Sequence, residues 1–310
     1  MIRSKPLLAA LSLSAAAVLL GAAKPPPAPT SFTPAISYRY GYTELRLANA
    51  DGSAAALLLR LPPPSGQIGS ILQHAIAPLG QRQVAFVDAS VFGVKSLRIV
   101  SWTQPTPGGP LSVSLDPTPM FSLAAPYGEI TSLDFSPDGT RLAAVSWIDG
   151  QNHELRFFDV ASRTQIGDAI PLAQDGSILR WRASDDSLLM LGAAGVSTFK
   201  DGVQTPLFTG IDGGFFDTFN AGSAEAVFLK HCCGGNFLQR WDGVTISDGQ
   251  ALLTTVTDGV DPSIACDNAR MIYRRLSPRS VFVIRTLATG AEQEFSRDRS
   301  ISYANYPGTC

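Results

Sequence analysis

Apolar residues recur along this chain in short runs, and the gaps between runs are rich in Gly, Asp, Pro and Ser. In ITSLDF, Ile130, Leu133 and Phe135 are the apolar points; after Ser136-Pro137-Asp138-Gly139 the run RLAAVSW is nearly continuous, as in a strand covered on both faces. HELRFFDV follows the polar loop IDGQN, and RTQIGDAI follows the turn at Ala161-Ser162. Few segments carry apolar spacing of 3.6 over three turns, so the pattern predicts an all-β chain.

The tetrapeptide at 136–139 has a mechanical reason. Pro137 presets the backbone for the second position of a type I turn, Asp138 suits the third, and Gly139 supplies a left-handed residue that closes a bulged hairpin. The four strands around it form one meander. The same order recurs in residues 70–115 (ILQHAIA, QVAFVDA, KSLRIVSW, LSVSL), 178–208, 214–256 and 261–295, which makes five complete units. Residues 36–60 supply a second, third and fourth strand without a first, and ISYANYPG at 301–308 supplies a first strand without a continuation. Joined, they predict a sixth unit. A period of about 40 to 60 residues with four strands per unit predicts a six-bladed β-propeller of four-stranded antiparallel sheets, closed by the C-terminal strand completing the first blade.

The two ends change the picture further. MIRSKPLLAALSLSAAAVLLGAAK sets Arg3 and Lys5 before an apolar run ending in small residues, the plan of a signal peptide over 1–23. A proline-rich linker, 24–35, precedes a single domain over 36–310. This organisation predicts a periplasmic or secreted protein without stable membrane insertion. The formal net charge is −2, and about −4 once Arg3 and Lys5 are removed, which disfavours nucleic acid and anionic lipid as partners.

The SPDG-type turn, the segment ELRLANADGS at 44–53 and the leader together resemble the TolB-like, WD-repeat-related six-bladed propellers of bacterial envelopes, over nearly all of residues 36–310. The resemblance implies a binding platform more often than an enzyme.

In such a ring the loops between second and third strands share one face, here called the upper face, with the loops between blades. Turns between first and second strands lie on the lower face. Cys266 falls at a lower turn and Cys310 just past the matching turn of the neighbouring blade, so of the three possible pairings this topology favours a Cys266–Cys310 disulfide. His231-Cys232-Cys233 falls in an upper loop. It reads either as cysteines oxidised in an exported protein, bonded to each other or to another loop, or as a soft-metal site for copper or zinc.

Catalytic motifs are missing: no Gly-x-Ser-x-Gly elbow, phosphate-binding loop ending in Lys, or His-Glu-x-x-His helix occurs. His74 on an inner strand reads as a hydrogen-bonded structural histidine, Asp185-Asp186 as turn residues, and Arg180 and Arg182 as channel-wall groups. Trp147, His153, Tyr127, Arg274 and Arg275 enrich the upper face in the residue types that dominate binding energy at interfaces. The resulting expectation is a non-enzymatic scaffold without cofactor, binding an envelope or secreted protein or peptide there. The alternative is a metal-binding protein or metal-dependent enzyme built on His231, Cys232 and Cys233.

Overall fold

The turn at 136–139 forms through its own side chains. Asp138 Oδ1 accepts from Ser136 Oγ (2.6 Å) and Thr140 N (3.0 Å), while Ser136 N donates to the Arg141 carbonyl and Arg141 N donates to Ser136 Oγ (2.8 Å each), which starts the hairpin. Gly139 has φ +69°, the left-handed backbone the turn requires. The computed structural model describes residues 32–63, 70–106, 109–124, 128–148, 152–172, 178–182, 185–192, 195–209, 215–220, 226–232, 235–241, 246–248, 259–265, 267, 269–275, 280–296 and 301–307. For the strands that fall within 207–262 it describes the backbone alone.

Strands β1 (Pro34–Tyr40), β2 (Glu44–Asn49) and β3 (Ala55–Arg60) form one meander. They are followed by β4 (Ile71–Ile76), β5 (Gln83–Asp88), β6 (Val94–Thr103), β7 (Ser112–Leu115) and β8 (Phe121–Ala124). Next come β9 (Glu129–Phe135), β10 (Arg141–Trp147), β11 (His153–Asp159) and β12 (Thr164–Pro171), then β13 (Ile178–Trp181), β14 (Leu188–Gly192), β15 (Gly195–Lys200) and β16 (Val203–Thr209). The last groups are β17 (Phe215–Asn220), β18 (Ala226–Cys232), β19 (Gly235–Trp241) and β20 (Ile246–Asp248), then β21 (Gly259–Ile264), β22 (Arg270–Arg275), β23 (Val281–Thr286) and β24 (Glu292–Ser296), with β25 (Ile301–Asn305) at the end.

Five small antiparallel sheets are built from consecutive strands, β4–β8, β9–β12, β13–β16, β17–β20 and β21–β24. These are the blades complete in contiguous chain. A further sheet is composite, with the order β25-β1-β2-β3. The first strands touch in the order β4, β9, β13, β17, β21, β25, and β25 touches β4.

Two expectations need correction. The sheet of β4, expected with four strands, is five-stranded: residues 115–129 contain β8, which pairs with the first half of β6 while β7 pairs with its second half. At ten residues β6 is long enough to hold two short partners end to end. The expected linker also ends early. Pro34 and Ala35 belong to β1, Thr33 N donates to Asn49 Oδ1 (2.7 Å), and Phe32 packs beside Leu45, Leu47 and Trp102.

The core lies between sheets rather than inside any one of them. In RLAAVSW, Leu142 and Ala144 join a cluster with Ala85, Val87 and Leu97, while Ala143 and Val145 join one with Leu179, Trp181 and Met190. Alternate residues of one strand therefore pack on opposite neighbours, which is why the run is apolar throughout. Ile36 and Tyr38 of β1 pack with Ile272, Phe282 and Ile284 in the same manner.

At β4, at β13 and just past β25, backbone groups on the first-strand side are taken up by side chains from adjoining sheets. Ser132 Oγ accepts from Leu179 N (3.0 Å), Asp134 Oδ2 from Trp181 N (2.7 Å), and Ser263 Oγ from Tyr306 N (3.0 Å). Asn305 Nδ2 donates to the His74 carbonyl oxygen (3.0 Å), and Arg39 donates to the carbonyls of Ile71 and Leu72 (2.8 Å each). Buried backbone groups need such partners, so these contacts fix the spacing of the inner strands. Among the described residues no helix is long and apolar enough to cross a membrane.

Candidate functional site

The upper end carries the β1–β2, β5–β6, β10–β11 and β22–β23 loops. Three of them expose large apolar side chains. Phe92 and Val91 in the β5–β6 loop are 71% and 63% exposed, Tyr42 in the β1–β2 loop is 42% exposed, and Ile148 follows β10. Tyr42 has φ +60°, beside Gly41 at +59°, so the β1–β2 turn holds a bulky L-residue in the left-handed region at some cost in strain. The Arg39 guanidinium lies 4.5 Å from the centre of its ring.

The loops are tied together below their tips. Tyr42 O accepts from Ser70 N and Ile71 N (3.0 Å each), and Ser70 O accepts from Ala89 N (2.7 Å). Exposed aromatic and apolar groups on a hydrogen-bonded base form the arrangement in which a partner gains contact area at small ordering cost.

Of the residues predicted from sequence, Trp147 and His153 are brought together. They are opposite one another in the β10–β11 pair, and their rings stack with centres 5.5 Å apart at 10°. Trp147 Nε1 is buried without a hydrogen-bond partner among the described residues. Arg274 and Arg275 are not brought to them: they lie on β22, in a sheet that does not adjoin the one holding β10. Arg275 is engaged by Glu292 (3.1 Å) and Glu294 (3.6 Å) of β24.

Tyr127, Cys233, Cys266 and Cys310 lie outside the described residues, and with them the predicted disulfide and the complete metal triplet. His231 and Cys232 were expected in a loop; instead the backbone continues β18 through both, opposite Asn236 and Gly235 of β19. Among the described residues no three His, Cys, Asp or Glu side chains gather as a metal site.

Sequence reasoning missed Tyr42, Val91 and Phe92. The signal for Val91-Phe92 was an apolar pair interrupting the loop Ala-Ser-Val-Phe-Gly, where polar residues are the rule. The strain at Tyr42 had no sequence signature.

Two titratable groups on first strands are buried. His74, 5% exposed, is pushed down to a pKa of about 4 by burial and by the charges of Arg39 and Arg180, against the hydrogen bond to Ser37. Asp134 is pushed up to about 6 by burial, against Arg180 and the backbone bonds from Trp181 and Phe135. Asp186, expected as a turn residue, also joins two sheets: it accepts from Trp181 Nε1 (2.7 Å) and from Arg141 through both oxygens (2.7 and 2.8 Å). Asp185 caps its own turn at Ser187 and holds Arg182 at 3.3 Å.

No family model matches the chain, and no curated protein matches it in sequence. Solved structures do match. TolB from Acinetobacter baumannii superposes at a TM-score of 0.64 with 16% identity, over 91% of this chain and 68% of that one. A nidogen/laminin complex gives 0.61 with 9% identity, over 89% and 100%. The β-propeller domain of Cps50 (Swd1) from Myceliophteria thermophila gives 0.51 with 16% identity, over 83% of each chain. The chain is a β-propeller. At these identities the likeness concerns the fold, an all-β ring of small antiparallel sheets, and function rests on the site.

Proposed function

We propose that this chain is an exported, non-enzymatic propeller that binds a protein or peptide partner at its upper end. The composite sheet acts as a sixth blade, in the manner of TolB-like rings, and β25 seals the circle. The observation that carries the reading is the cluster of Tyr42, Val91 and Phe92, exposed on loops bonded to one another through Ser70. Trp147, stacked on His153, and Ile148 extend the apolar surface to the next sheet. Large apolar groups on the rim of a soluble domain mark interaction sites, and aromatic anchors supply most of the energy there. The nidogen/laminin structure, a complex between two proteins, supports a binding role for such a fold. The leader at 1–23 supports export.

The test places a photocrosslinking residue at Phe92 of the full chain or, as control, at Val203, which is 62% exposed in the β15–β16 turn at the lower end. Expressed in the native host and irradiated, the Phe92 position is expected to trap one discrete partner and the Val203 position none. Equal trapping from both, or none from Phe92, refutes the assignment. The mass of the recovered protein reports export, which requires loss of residues 1–23.

A further inference from the structure

At the lower end, on the seam between the composite sheet and the sheet of β4, lies a cavity of about 170 Å³. Phe32 and Pro34, at the entry to β1, line one side of it, and the β4–β5 turn from Pro78 to Arg82 lines the other. Ile76, Ala77 and Trp102 are its buried lining, whereas Leu79, 50% exposed, and the exposed Arg82 stand where it meets solvent. An apolar space of about 150 Å³ holds a benzene ring, so this one admits a single ring or one branched side chain and little more.

Both sides are held in place by the fold itself. In the β4–β5 turn Gln81 N donates to Pro78 O (3.1 Å), Gln81 Nε2 donates to the Asp138 carbonyl oxygen (3.2 Å), and Trp102 N donates to Arg82 O (3.1 Å). Opposite, Thr33 N donates to Asn49 Oδ1 (2.7 Å) and Phe32 packs in the cluster that contains Trp102. A preformed site asks little ordering of the protein when a ligand enters. Its charge is of one sign. Among the described residues that line it none is acidic, and Gln104 Nε2 is taken by the Gly109 carbonyl (3.2 Å). Arg82, held at φ +54°, makes no side-chain ion pair or hydrogen bond with a described residue.

We propose that this cavity binds a small aromatic or branched aliphatic monocarboxylate, its apolar body against Trp102, Phe32 and Leu79 and its carboxylate on Arg82. A planar guanidinium can donate to both oxygens of a carboxylate, which orients the ligand at the mouth. The apolar lining supplies the larger part of the affinity, because an exposed ion pair contributes about 1 kcal/mol or less. A phosphate would bring a second charge and its hydration to a hollow with one cation, and a plain hydrocarbon would leave Arg82 unused. A free acid and the last residue of a peptide chain offer the same chemistry. The site lies at the opposite end from Tyr42, Val91 and Phe92, and its failure leaves the upper-end reading standing.

The experiment follows the indole N–H signals of the 15N-labelled protein, which has four tryptophans, with Trp102 assigned through Trp102→Phe. Phenylacetate at pH 7 is expected to shift the Trp102 signal saturably with a Kd of about 1 mM or tighter, with Trp147 at the upper end unmoved. Sodium chloride at matched ionic strength controls for screening. Phenylacetamide, the same body without the charge, should bind about 5-fold more weakly, and Arg82→Gln should weaken phenylacetate by about as much, with Arg82→Lys restoring part of it. The peptide acetyl-Gly-Gly-Phe with a free C-terminus distinguishes the sources: a response to phenylacetate alone assigns a free acid, and a response to the peptide assigns a chain terminus. The proposal is overturned if neither anion moves Trp102 in the wild-type protein beyond the chloride control. It is equally overturned if phenylacetamide and the Arg82→Gln variant bind as tightly as the charged pair.

Discussion

His74 and Asp134 sit on adjacent first strands and load the fold with opposite pH dependences. The Asp134 pKa rises from 3.8 to about 6 on folding, so the native state holds more protons between those values. Its contribution to stability is full below pH 3.8 and is lost as pH rises through about 6. The His74 pKa falls from 6.5 to about 4, so the unfolded state holds more protons there. Its contribution is full above pH 6.5 and is lost as pH falls through about 4. Each shift corresponds to about 3 kcal/mol, and the two nearly cancel in the wild-type protein. Single substitutions uncover them. Relative to wild type, Asp134→Asn should lose about 3 kcal/mol between pH 7 and pH 3.5, and His74→Gln should gain about as much. Urea unfolding in half-unit pH steps, read as variant minus wild type, removes the shared acid loss from carboxylates such as Glu44 and Asp138, whose pKa values hydrogen bonds hold down against burial. Two difference curves that stay flat, or slope in the same direction, refute the assignment of opposed burial to these groups.

Further outcomes follow from single contacts. Gly139→Ala forces a left-handed residue, and its methyl would meet Gln81 Cγ at 2.9 Å; thermal unfolding should show a loss of about 1 kcal/mol or more. Asp186→Ala orphans the indole N–H of Trp181 and should cost about 1–3 kcal/mol in urea. Arg141→Ala removes a part-exposed ion pair and should cost no more than about 1 kcal/mol; equal losses in the two variants would contradict the role given to Trp181. Deleting residues 301–310 removes the β1 partner and the bonds from Tyr306 to Ser263 and Ala50, and should abolish cooperative melting. Phe92→Ser should abolish partner crosslinking from a neighbouring probe site while shifting unfolding by less than about 0.5 kcal/mol, because the ring is largely in solvent.

Local sequence determined the strands and their turns. The alternation in ITSLDF, the two-sided burial of RLAAVSW and the chemistry of Ser136–Gly139 act within a few residues, and the structure forms each of them in place. The repeated meander is legible for the same reason: one hairpin period follows another along the chain. The added strand β8 escaped because Phe121–Ala124 is too short to have a period and is defined only by the half of β6 that β7 leaves vacant. The site followed the same division. Trp147 opposite His153 follows from one hairpin register. The joining of Tyr42 to the Val91-Phe92 loop, the depressed His74 pKa and the seating of Trp181 N on Asp134 depend on residues separated by tens of positions or more. Burial and electrostatics act through space, so only the assembled sheets decided which of these side chains are strained, orphaned or charged.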